Sequence, residues 1–133
     1  HNQFQIMTLT PSTLFAVFIG GGAGSVARVL VGEGITRVSS SGFPLGTLLA
    51  NLIATALLAI IIIYSGDRWG RDSIMVPLLA MGFCGGFSTF STFSIDTMRL
   101  FHDGQTTFAI ANILISVGAC IGIGMIIFKT LSK

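Results

Sequence analysis

Apolar positions along this chain gather into four runs separated by short polar connections. The first runs from about Ser12 to Val31, and the second from about Leu45 to Tyr64. The third runs from about Ile74 to Phe93 and on towards Leu100, and the fourth from about Thr107 to Phe128. A helix of about twenty apolar residues crosses the hydrocarbon core of a bilayer. The pattern therefore predicts an all-α membrane protein with four transmembrane helices. Charges fall mainly in the connections: Glu33 and Arg37 within Gly32–Pro44, Asp67, Arg68, Arg71 and Asp72 within Ser65–Ser73, and Asp103 after His102. Tyr64 and Trp69 lie at a span end, where interfacial aromatic residues anchor helices. One membrane domain over residues 8–133 is expected, with residues 1–7 set aside as a flexible or non-native start.

Composition narrows the class. Only 9% of the 133 residues are charged while 52% are hydrophobic, so a soluble domain of this length lacks the surface it would need. A net charge of +2 without a Lys/Arg run leaves no footprint for nucleic acid. Cys84 and Cys120 both fall inside apolar runs and read as small buried hydrophobes. Every acidic residue lies at a span end or in a connection, and no nucleophile–base pair is apparent, so no enzyme is expected. Lys and Arg are shared almost evenly between the two sides, Arg68, Arg71, Lys129 and Lys133 against Arg28, Arg37 and Arg99. That balance weakens the orientation signal and favours an antiparallel homodimer. Glycines at 20, 21, 22, 24, 118, 122 and 124 favour close helix contacts.

The third run departs from an ordinary lipid-facing helix. From Gly82 to Ser94 it reads Gly-Phe-Cys-Gly-Gly-Phe-Ser-Thr-Phe-Ser-Thr-Phe-Ser. The pair Gly85-Gly86 weakens a helix at mid-depth, and irregular backbone there requires cover from protein or a water-filled path. The pair is either a packing kink or a place where unwound carbonyls meet a hard cation. Phe83, Phe87, Phe90 and Phe93 form a packing stripe, or their positive ring edges face an anion among Ser88, Thr89, Ser91, Thr92 and Ser94. Asn51, six residues into the second run, is interhelical glue or a donor to such an ion. Asn112, Ser116 and Cys120, spaced by four, share a face that is buried between helices or lines a path. Arg28 is an interfacial anchor or a cation at an aqueous entry.

Three strings carry a resemblance. Gly20-Gly21-Gly22-Ala23-Gly24-Ser25-Val26-Ala27-Arg28, Gly46-Thr47-Leu48-Leu49-Ala50-Asn51 and the Gly82–Ser94 string resemble, in order, the first-, second- and third-span motifs of the Fluc (CrcB-type) fluoride-channel family. The resemblance implies a dual-topology antiparallel homodimer with two pores, a break in the third span and a structural Na+ at the dimer interface. It implies passive export of cytoplasmic fluoride, hence fluoride resistance, from a multi-pass position in the bacterial plasma (inner) membrane. Carried over by position, Phe90 and Phe93 are the pore rings and Asn51 the polar donor beside them, with Thr89 among the pore hydroxyls. Arg28 falls in the vestibule, and Gly85 and Ser88 lend backbone carbonyls to Na+. Asn112, Ser116 and Cys120 match a fourth-span polar track that is tyrosine–serine–serine in some relatives, so Asn112 and Cys120 depart from it. Ala54 and Val29 read as packing variations, and Asp96 stands where an acidic residue is common near the pore mouth. Two rivals remain. A small multidrug exporter would share the four-span dimeric plan, but this chain lacks that family's deep first-span carboxylate. A non-conducting subunit has little use for intramembrane hydroxyls and amides.

Overall fold

A computed structural model describes residues 9–69 and 73–132. Residues 1–7, Arg71, Asp72 and Lys133, on which parts of the sequence reading fall, lie outside the described residues. Among the described residues, four helical segments are long and apolar enough to cross a membrane: Pro11–Val38, Leu45–Ser65, Val76–His102 and Thr106–Leu131. The described fold is helical throughout.

Helix α1 (Pro11–Val38) opens on Thr10, whose hydroxyl accepts from the Thr13 N–H at 3.2 Å, and on Pro11, whose fixed φ suits a first turn. It continues two turns beyond the expected end at Val31. Glu33 and Arg37 therefore belong to the helix and not to a connection. They pair at 3.2 Å with the i,i+4 spacing that supports an exposed helix end. At about 1.5 Å per residue the helix is longer than the roughly 30 Å hydrocarbon core, so its charged end reaches past the acyl chains. Helix α2 (Leu45–Arg68) starts after Pro44 and also outruns its expected end at Tyr64. The Arg68 guanidinium lies 5.5 Å from the centre of the Tyr64 ring.

The third span is composite. Val76–Cys84 is wound as a π-helix and leads into a short α3 (Gly85–Phe87). Ser88 and Thr89 are then extended, at φ −79°, ψ 153° and φ −154°, ψ 119°, before α4 (Phe90–His102) begins. This corrects the place where the sequence suggested weakness. Gly85 is helical, at φ −64° and ψ −38°, and the extended residues lie C-terminal to the glycine pair. The glycine at 86 serves proximity: a Cβ there would collide with the Gly21 carbonyl. Gly20 and Gly24 on α1 likewise leave room for the Leu78 and Phe83 carbonyls, and Gly82 for the Gly20 backbone. Two small-xxx-small pairs, Gly20/Gly24 and Gly82/Gly86, thus interleave and bring α1 against the third span.

A tight reversal joins α4 to α5 (Thr106–Leu131). Gly104, at φ 77°, donates its N–H to the Phe101 carbonyl at 3.2 Å, while the Gln105 N–H reaches the Leu100 carbonyl at 2.8 Å. This is a Schellman closure, and the left-handed residue in it is the glycine. Ala50 and Ala54 of α2 pack with Phe87, joined by Ala27, Val31 and Phe83, and this small core sits directly behind the interruption.

Candidate functional site

The interruption in the third span is held by one side chain from α2. The Asn51 Oδ1 accepts from the Thr89 N–H at 2.7 Å, and its Nδ2 donates to the Thr89 carbonyl at 3.2 Å. A side-chain amide thus pairs with a backbone residue as a neighbouring strand would, satisfying both groups where the helix ladder is lost. The second N–H of the Asn51 amide is not spent on Thr89. On the other side of the break Thr89 caps α4. Its Oγ1 accepts from the Thr92 N–H at 3.2 Å and also donates to the Thr92 hydroxyl at 3.2 Å.

These bonds change the state of two carbonyls. In an unbroken helix the Gly85 oxygen would accept from the Thr89 N–H, and the Ser88 oxygen from the Thr92 N–H. Both donors are diverted, the first to Asn51 and the second to the Thr89 side chain. Between them the Gly86 carbonyl accepts from the Arg28 Nε–H at 3.1 Å. Among the described residues no group of three or more His, Cys, Asp or Glu is placed to hold a metal. Carbonyl oxygens, which suit a hard cation, are what this region offers. Gly85 is exposed, with open space around it.

The phenylalanine stripe divides at the break. Phe83 and Phe87 stack at 5.7 Å with nearly parallel planes, and Phe87 is buried in the core. Phe90 and Phe93 form a second pair, 5.6 Å apart and tilted by 42°. Phe90 is 78% exposed at the first turn of α4 and Phe93 is half-buried. A continuous helix would have placed Phe83, Phe87 and Phe90 on one face. The two extended residues separate a packing pair from a pair whose first ring, Phe90, is exposed.

Fourth-span residues lie on the α4–α5 contact. Asn112, 1% exposed, donates from Nδ2 to the Thr97 hydroxyl at 2.9 Å, and its Oδ1 accepts from the Ser116 hydroxyl at 3.0 Å. Thr97 in turn donates to the Phe93 carbonyl at 2.8 Å. Cys120 is half-buried one turn further on. A second α2–α4 bond joins the Thr47 hydroxyl to Asp96 Oδ2 at 2.8 Å. Thr47 and Thr97 were not singled out by the sequence reading. The available signal was spacing, since Thr47 lies four residues before Asn51 and Thr97 four after Phe93.

These features define a multi-pass helical membrane protein whose third span is interrupted and cross-braced by polar side chains of the second and fourth. The family described as CrcB-like protein, Camphor Resistance (CrcB), matches residues 15–128. A protein of Yersinia pseudotuberculosis named fluoride-specific ion channel FluC 1 is 38% identical over 117 residues, 88% of this chain and 91% of its own length. FluC 1 of Nitrobacter hamburgensis is 40% identical over 112 residues, covering 81% and 89% of the two chains. A FluC of Coxiella burnetii is 40% identical over 106 residues, covering 79% and 86%. The chain belongs to the CrcB family. Its relatives carry the names of ion channels, not of enzymes.

Proposed function

We propose that this protein is a fluoride-selective ion channel that passively exports cytoplasmic fluoride across the bacterial inner membrane. It works as an antiparallel, dual-topology homodimer with two pores and a central structural Na+. The observation that carries the reading is the double hydrogen bond between Asn51 and Thr89, which starts α4 with Phe90 and Phe93 in its first turns.

The chemistry follows from what fluoride loses on entering the membrane. A small anion taken from water pays a large desolvation cost unless donors replace the solvent. The remaining amide N–H of Asn51, the positive edges of Phe90 and Phe93, and the positive end of the α4 dipole supply that replacement. None carries a full charge, so binding stays weak enough for release. Thr89, held through backbone and hydroxyl, fixes the geometry and adds a polar group to the pore wall. Asn112 and Ser116, buried on the α4–α5 contact, are the fourth span's polar contribution behind the pore wall. Arg28, whose charge reaches the break through the Gly86 carbonyl, draws anions into the vestibule.

Gly85 and Ser88 fit the cation part of this reading, because their carbonyls have lost their helical donors and Gly85 lies open at the protomer surface. A bound Na+ would neutralise these dipoles and tie two copies together. The deciding experiment is ion efflux from proteoliposomes containing the purified protein. Rapid fluoride loss with chloride retained is the expected result, and equal rates for the two anions overturn the proposal.

A further inference from the structure

The hydrogen bonds from Ser116 through Asn112 and Thr97 to the Phe93 carbonyl run in one direction. We infer that Asn112, acting through Thr97, is a positioning residue that sets the attitude of the Phe93 ring and with it the discrimination between halides. The inference rests on the proposal that Phe93 lines a fluoride path.

The argument is one of donors and acceptors. A threonine hydroxyl has a single proton. The Asn112 N–H arrives at the Thr97 oxygen at 2.9 Å and occupies its acceptor side, and the Thr97 proton goes to the Phe93 carbonyl at 2.8 Å. That carbonyl lies four residues before Thr97 in the same helix. A hydroxyl bonded back in this way opens and bends the turn it spans. The turn affected begins at Phe93, and the group that fixes it comes from α5. Thr97 is 8%, Ser116 6% and Asn112 1% exposed, so water does not compete for these bonds. Phe93 in turn meets Phe90 at 5.6 Å, so a change in the turn alters the ring pair. The amide thereby reaches the ion at one remove: one N–H is given to Thr97 and its oxygen takes the Ser116 proton, in a contact buried between α4 and α5.

The test uses the purified dimer in proteoliposomes, comparing fluoride with chloride efflux for wild type, Thr97→Val, Thr97→Ser, Asn112→Leu and the Thr97→Val/Asn112→Leu pair. Thr97→Val and Asn112→Leu are each expected to lower the fluoride-to-chloride ratio about tenfold, within the coupling a buried network transmits, and the double variant no further. Thr97→Ser keeps the hydroxyl and restores the ratio. Thr97→Val against Thr97→Ser decides the matter alone if Asn112→Leu does not fold. A folded Thr97→Val with the wild-type ratio overturns the inference. So does an Asn112→Leu effect that adds to that of Thr97→Val, which would place the amide on the ion itself. A wild type that passes no fluoride overturns the proposed function and this inference together. A selective wild type with an unaffected Thr97→Val overturns only the inference.

Discussion

Gly82 packs on the backbone of Gly20: a Cβ at position 82 would stand 2.9 Å from the Gly20 Cα. The contact repeats one turn along, where Gly24 faces the Phe83 carbonyl and Gly86 the Gly21 carbonyl. Backbone, not a flexible side chain, is what an added methyl would strike. Gly24→Ala or Gly86→Ala is therefore expected to cost at least about 1–3 kcal/mol, the range for overpacked cores. Gly34→Ala, on the same helix with open space around it, is expected to be neutral or slightly stabilising. Thermal unfolding in detergent checks all three.

Asn51→Leu keeps approximate volume and removes both bonds to Thr89. It leaves a part-buried N–H and carbonyl at Thr89 without these partners, at up to about 1–3 kcal/mol each. The expected outcome is a lower unfolding temperature and at least about a tenfold loss of fluoride efflux, because the first turn of α4 is no longer fixed. Equal efflux from an equally stable variant would remove Asn51 from the account.

Phe90 and Phe93 separate packing from ion contact. Phe90 is 78% exposed within its protomer, so Phe90→Ile should leave protomer packing nearly intact while removing the ring's positive edge. A fall in fluoride flux with little change in unfolding temperature is expected for Phe90→Ile. Phe93→Ile, at a half-buried position, should lower both. Fluoride-electrode recordings beside melting curves distinguish the two patterns.

Exchange of sodium for a large organic cation tests the carbonyl site. A ligand that binds the folded protein stabilises it by mass action, so unfolding temperature should climb with sodium concentration and drop in N-methylglucamine. A flat response would remove the cation from the Gly85 and Ser88 carbonyls.

Much of this arrangement was legible beforehand, for reasons that differ by element. Hydropathy exposed the four spans because lipid tolerates little else at that length. It misplaced the ends of α1 and α2, because a helix leaving the membrane carries charges such as Glu33 and Arg37 that resemble a loop. Composition drew attention to Gly85-Gly86, yet the glycines stay helical and the extended residues are Ser88 and Thr89. Propensity misled there because Gly86 is needed for approach to α1, while a distant amide selects the conformation at Thr89. The i,i+4 spacing that lets Ser116 bond Asn112 was visible, but the bond from Asn112 to Thr97 depends on how α4 meets α5. A single chain read linearly does not disclose such pairings.

The Asn51–Thr89 bridge has a consequence for assembly within the lipid. Until the second span lies alongside, the peptide at Thr89 has nothing to bond in hydrocarbon, at several kcal/mol for each orphaned group. A newly inserted third span is then expected to remain a straight, fully wound rod, and to acquire its bend only on docking. Insertion and the shaping of an ion route become separate events, with the amide of one helix acting as the latch between them.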